Sequence, residues 1–144
     1  MQNQIFWVAL LSWTIAQVLK TIISYLTLGE LNLERLLGSG GMPSSHSALV
    51  VSLVTGVGMT DGFASNSFAI AAIFAGIVMY DAAGVRQAAG KHARAINQIV
   101  QQLRYEHKFA DNSLKELLGH TPLEVFAGAL LGFVVAYCYC KLMF

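Results

Sequence analysis

The sequence predicts an all-α integral membrane bundle of about four transmembrane helices plus an amphipathic interfacial helix, and three observations predict it. Hydrophobic residues make up 56% of the chain and charged ones only 12%, whereas soluble domains carry roughly 25% charged residues. The apolar residues fall in long runs, with the charges gathered between them, as helices that each need roughly 20 apolar residues to span a bilayer require. One stretch, residues 88–104, instead carries apolar side chains at helical spacing with polar ones between, too polar to span. The 144 residues suit a single membrane domain, 1–144, and the net charge of +1 offers no field for a nucleic acid. Cys138 and Cys140 lie two apart in an apolar run, so a helix points them away from each other and no disulfide between them is expected.

The first span covers residues 5–28, and no basic residue precedes it, so a retained span is expected rather than a signal peptide. Its only charge is Lys20, which must either snorkel to the interface or face a polar interior. A polar connector follows, with a short interfacial helix expected at 31–37. The second span, 44–59, is short for a bilayer, so its N-terminal end should lie sunk below the lipid surface, at the floor of a cavity. After a tight turn at 60–67 the third span runs over 68–83 and ends near Asp81 and Arg86. The amphipathic helix occupies 88–104, a charged linker 105–113, and a helical turn is expected at 114–118. The last span, 122–142, has a well-marked start: Thr121 as N-cap, Pro122 at the first helical position and Glu124 closing a capping box. Four spans put the first connector and the long third connector on one side. Lys20, the turn before His46, Arg86, His92 and His120 therefore converge on one membrane face.

Two constellations on that face carry chemistry. In Gly40-Gly41-Met42-Pro43-Ser44-Ser45-His46 a glycine turn enters a helix with Pro43 in its first turn. The free N–H groups of such a helix start, with the positive end of its dipole, form an anion site. Ser44 and Ser45 add donors, and His46 adds a proton carrier that works near neutral pH. In Gly119-His120-Thr121-Pro122-Leu123-Glu124 a carboxylate follows a histidine by four residues. Glu124 can hold one ring nitrogen of His120 and leave the other free to attack an electrophile, or it can serve the helix cap alone. Arg86 suits bidentate phosphate binding as well as the ordinary flank of a span. Lys91 and His92 sit on the amphipathic helix, and His107 in the charged linker. A zinc site built from His46, His92 and His120 would leave the phosphate donors without a purpose.

These residues resemble a family. Pro43-Ser44-Ser45-His46 is similar to the Pro-Ser-Gly-His motif of the type-2 phosphatidate phosphatase and vanadium haloperoxidase superfamily. The segment from His120 to Gly132, HTPLEVFAGALLG, resembles that superfamily's third motif, in which a histidine precedes an Asp by four positions before an Ala-Gly-rich helix. The chain looks like its divergent branch of small, acid-phosphatase-related membrane proteins, the likeness spanning Lys20 to Gly132. The resemblance implies a phosphatase that hydrolyses a lipid phosphate or diphosphate through a phosphohistidine, without metal or cofactor. His120 matches the nucleophile, Glu124 its orienting carboxylate and His46 the acid that protonates the leaving group. Lys20 and Arg86, with Ser44 and Ser45, match the phosphate-binding groups.

The chain departs from the pattern in several places. Ser45 stands for a glycine and Glu124 for an Asp, and no Arg-Pro pair follows Lys20, Arg35 lying too far along. The superfamily's arginine precedes its histidine by six positions. Arg86 and His92 keep that spacing, but Ile96 then stands where the carboxylate belongs. We read a motif split by the amphipathic insertion, with Arg86 meeting His120 in space, and His92 with Lys91 as the rival pair. The altered motifs leave a second function open: a catalytically silent lipid-phosphate binding or scaffold protein. The partners implied are the bilayer and a lipid phosphate, and nothing in the sequence excludes a homo-oligomer. Arg86, Lys91, Arg94, Arg104, Lys108 and Lys115 in the third connector place the site on the cytoplasmic face of the plasma membrane by the positive-inside rule.

Overall fold

In the computed structural model, which describes residues 3–28, 41–104, 114 and 119–143, the chain is helical with no strand among those residues. The order is α1 (Gln4–Leu28), α2 (Ser45–Thr60), α3 (Asn66–Tyr80), a π-helical turn (Asp81–Val85), α4 (Arg86–Arg104) and α5 (Pro122–Met143). The helix expected at 31–37, the linker at 105–113 with His107, and all of 114–118 but Leu114 lie outside the described residues.

Small residues at fourfold spacing decide how the helices meet. On α1, Val8, Ser12, Ala16 and Lys20 form one buried stripe. On α5, Gly128, Gly132, Ala136 and Cys140 form another. Large apolar side chains point outward instead, among them Ile70, Ile73, Phe126 and Leu130. This partition, small inside and large outside, suits helices whose solvent is hydrocarbon and whose association rests on close backbone approach. α2 is the central helix, packed against α1, α3 and most broadly α5. A Cβ on Gly128 would lie 2.1 Å from the Ser44 carbonyl oxygen, and one on Gly132 would lie 2.2 Å from that of Ala48. The matched pairs show that α5 and α2 run parallel, with both N-termini at one end.

Three helical stretches are long and apolar enough to cross a membrane: Gln4–Thr27, Asn66–Gln101 and Pro122–Met143. α2, the second of the four expected spans, has 16 residues, or about 24 Å at 1.5 Å per residue. That falls short of a hydrocarbon core of about 30 Å, in keeping with an N-terminal end below the lipid surface.

Two expectations need correction. The second helix begins at Ser45, not Ser44: Ser44 is the N-cap in extended conformation, its hydroxyl accepting the Ser47 N–H, and Pro43 lies outside the helix. The third span does not stop at residue 83 before a separate amphipathic helix. It runs through the π-turn directly into α4, since no proline or N-cap interrupts residues 81–88. α4 is held to the returning chain by Asn97, whose Nδ2 donates to the Leu114 carbonyl at 2.8 Å and whose Oδ1 accepts the Leu114 N–H at 2.9 Å.

Candidate active site

The end of the bundle where α2 and α5 begin gathers Lys20, His46, Asp81, Arg86, His120 and Glu124. Lys20 is 3% exposed and so faces the interior. Its methylenes lie against Gly41, where a Cβ would come within 3.2 Å. Gly41 also holds φ at 87°, a left-handed conformation that only glycine adopts at little cost. The glycine turn thus closes over the lysine stem.

At the start of α2 the donors divide. The Ser44 N–H donates to the Glu124 carbonyl at 3.0 Å, and its hydroxyl accepts from Ser47 Oγ at 3.1 Å. Ser44 therefore joins α2 to α5, and the expected phosphate contact from its N–H is not available. The N–H groups of Ser45 and His46 have no acceptor among the described residues. The donors move one residue along, and the anion site of the helix start remains.

His120 is 2% exposed. Its Nδ1 meets Glu124 Oε2 at 3.1 Å, and the same oxygen accepts the Thr121 N–H at 3.0 Å. The Glu124 N–H donates to Thr121 Oγ1 at 3.3 Å. Glu124 thus performs both roles left open by the sequence: it closes the capping box and orients the histidine. The other ring nitrogen, Nε2, is buried with no hydrogen-bond partner among the described residues, a condition that costs about 1–3 kcal/mol and asks for a reason. The His46 ring stands 6.3 Å away, centre to centre, edge toward face. Burial pushes the His120 imidazole below its usual value, with the Glu124 hydrogen bond and charge opposing and Lys20 and Arg86 assisting. A lowered value keeps Nε2 unprotonated near neutrality, as a nucleophile must be.

Arg86 reaches this site although it lies 34 residues before His120 in the chain. The His120 N–H donates to the Ala82 carbonyl at 2.9 Å. Gly119, at φ 93°, packs so closely that a Cβ would fall 2.4 Å from the Gln87 nitrogen and 2.7 Å from the Arg86 carbonyl carbon. Arg86, Lys20 and Asp81 all act electrostatically on His46. Arg86 Nε is itself held by Asp81 Oδ2 at 2.7 Å. The rival pair, Lys91 and His92, is exposed on α4, whereas His120 is buried. Among the described residues no three His, Cys, Asp or Glu side chains are grouped as a metal ion would need.

This geometry is where the comparisons with known proteins bear. The sequence matches the Divergent PAP2 family over residues 1–135. The chain belongs to that family. The membrane protein YuiD of Bacillus subtilis (strain 168), itself described as uncharacterized, is 44% identical over 131 residues, 83% of each chain being covered. No solved structure matches the chain. The family match covers every residue of the cluster, and the relative it resembles is likewise a membrane protein.

Two features of the site were not found by sequence reasoning. Gly119 was passed over, although a glycine next to a candidate nucleophile signals close backbone approach. The pairing of Gly128 and Gly132 with Ser44 and Ala48 was also missed, although small residues four apart on both helices announce it. A groove of about 540 Å³ lined by Trp7, Leu11, Trp13 and Tyr139 lies at the opposite end of α1 and α5 and takes no part in this cluster.

Proposed function

We propose that this chain is a membrane phosphatase that hydrolyses a lipid phosphate or diphosphate through a phosphohistidine. The observation that carries the reading is His120 Nε2: buried, without a partner among the described residues, and part of a ring whose other nitrogen is held by Glu124. His120 Nε2 attacks phosphorus in line, the bond to the lipid oxygen breaks, and a protonated His46 gives its proton to the departing oxygen. His46 then takes a proton from water, whose oxygen attacks the phosphohistidine and releases inorganic phosphate and free His120. Lys20, Arg86 and the N–H groups of Ser45 and His46 hold the equatorial oxygens as charge develops. A proton donor so placed contributes about 10²–10⁴-fold to rate.

A site at the start of two membrane helices favours an amphiphile over a soluble ester: phosphatidate, phosphatidylglycerophosphate or a polyprenyl diphosphate. The test is phosphate release by the purified protein from such a panel in detergent. His120→Ala should abolish release, His46→Ala should reduce it by about 10²–10⁴-fold, and the exposed His92→Ala should leave it near wild type. No release from any lipid phosphate, with orthovanadate still bound, would instead make the protein a silent lipid-phosphate binder.

A further inference from the structure

We propose that Asp81 is a positioning residue that aims the Arg86 guanidinium at phosphate, and that the π-turn exists to place both it and His120. In a regular α-helix the Arg86 N–H would donate to the Ala82 carbonyl, four residues back. Here it donates to the Asp81 carbonyl, five back. The widened turn leaves the Ala82 oxygen to accept the His120 N–H at 2.9 Å. One register shift thus supplies the bond that docks the histidine against the third helix.

The same turn brings the Asp81 side chain back onto Arg86. Oδ2 accepts from Nε at 2.7 Å, so one side of the guanidinium is tied. The two Nη groups have no other hydrogen bond among the described residues, and together they form the edge that takes two oxygens of one phosphate. Asp81 also acts electrostatically on His46. As an anion it would repel a phosphate that it touched, so its part is to hold the arginine.

The inference rests on Arg86 as a phosphate ligand, and the experiment separates the two. Orthovanadate binding to the full chain in detergent is measured by its protection against thermal unfolding, alongside phosphate release from lipid. Asp81→Ala should weaken orthovanadate binding about tenfold. Asp81→Asn should restore most of that, because an amide oxygen also accepts from Nε. Adding Asp81→Ala to Arg86→Ala should cost nothing further. Arg86→Lys, which keeps the charge but has no fork to aim, should bind weakly and become insensitive to Asp81→Ala. Wild-type binding by Asp81→Ala, an Asn variant as weak as the Ala variant, or additive losses in the double variant would each overturn the proposal. A wild-type protein that binds no orthovanadate would overturn it too. Orthovanadate binding that responds to Asp81 in this way, without lipid hydrolysis, would sink the phosphatase reading and leave the positioning role standing.

Discussion

Adding a single methyl group to Gly128 tests whether the contact between α2 and α5 sets the site. The new Cβ would lie 2.1 Å from the Ser44 carbonyl oxygen and 3.0 Å from its carbon, against the 3.3–3.6 Å at which carbon and a carbonyl oxygen approach. Both neighbours are backbone, so no rotamer change relieves the clash, and the helices must part by about 1 Å. That parting stretches the 3.0 Å bond from the Ser44 N–H to the Glu124 carbonyl toward the limit of a hydrogen bond. It also carries His120 away from His46. Overpacking of this kind costs about 1–3 kcal/mol, and a misplacement of about 1 Å near reacting groups costs about 10²-fold in rate. Gly76, in α3, is the control, since nothing lies within 4 Å of a Cβ there. Gly76→Ala should be neutral or stabilising by up to about 1 kcal/mol. Thermal unfolding and initial rates on a lipid phosphate, measured for both variants in one detergent, check the pair. Equal behaviour of the two variants, or Gly128→Ala at wild-type stability and turnover, would refute the argument.

Three further outcomes are expected. Because His120 is held below its usual imidazole value of 6.5, its contribution to stability is complete above pH 6.5 and is lost as pH falls below it. The acid limb of kcat/KM should therefore lie below pH 6.5, and Glu124→Gln, which removes the opposing charge, should move it lower still while cutting the rate by roughly 10²–10⁴-fold; a shift to higher pH would contradict the assignment. Activity should survive EDTA and be inhibited by orthovanadate, and loss on chelation with recovery on zinc would require a metal site instead. A cysteine placed at Asn112 should resist a membrane-impermeant thiol reagent in intact cells, since the positive-inside rule, applied to the six basic residues of that connector, predicts it on the cytoplasmic side; labelling before lysis would reverse the orientation.

The convergence of Lys20, His46, Arg86 and His120 was legible because it needs only helix direction, which follows from the number of apolar runs. The capping box was legible because Thr121, Pro122 and Glu124 state it in local sequence, and it forms at 3.0 and 3.3 Å. Lys20 could be narrowed to two fates, and its burial against Gly41 decides for the interior. The role of Ser44 was not legible. A serine at a helix start is equally suited to binding an anion and to capping, and only the approach of the Glu124 carbonyl assigns its N–H. The π-turn was hidden for a related reason: inserting one residue into a helical turn leaves no compositional mark, so the sequence suggested a break where the helix continues.

The same logic bears on the proposed split motif, in which Arg86 and His120 meet across a long connector. The superfamily's arginine and histidine are six apart, whereas Arg86 and His120 are 34 apart. Closing the longer loop costs more chain entropy, but only as the logarithm of its length, about 1.5 kcal/mol for this difference. Two backbone hydrogen bonds at the junction, His120 N–H to Ala82 and Ser44 N–H to Glu124, contribute about 0.5–1.5 kcal/mol each. They offset the longer loop and fix both ends of the histidine's turn against the third and second helices. Gly119 matters for the same reason, because any side chain there would push the turn off the Arg86 backbone. The connector can therefore carry a whole amphipathic helix, provided that the glycine, the π-turn and the carboxylate cap remain where its two ends meet.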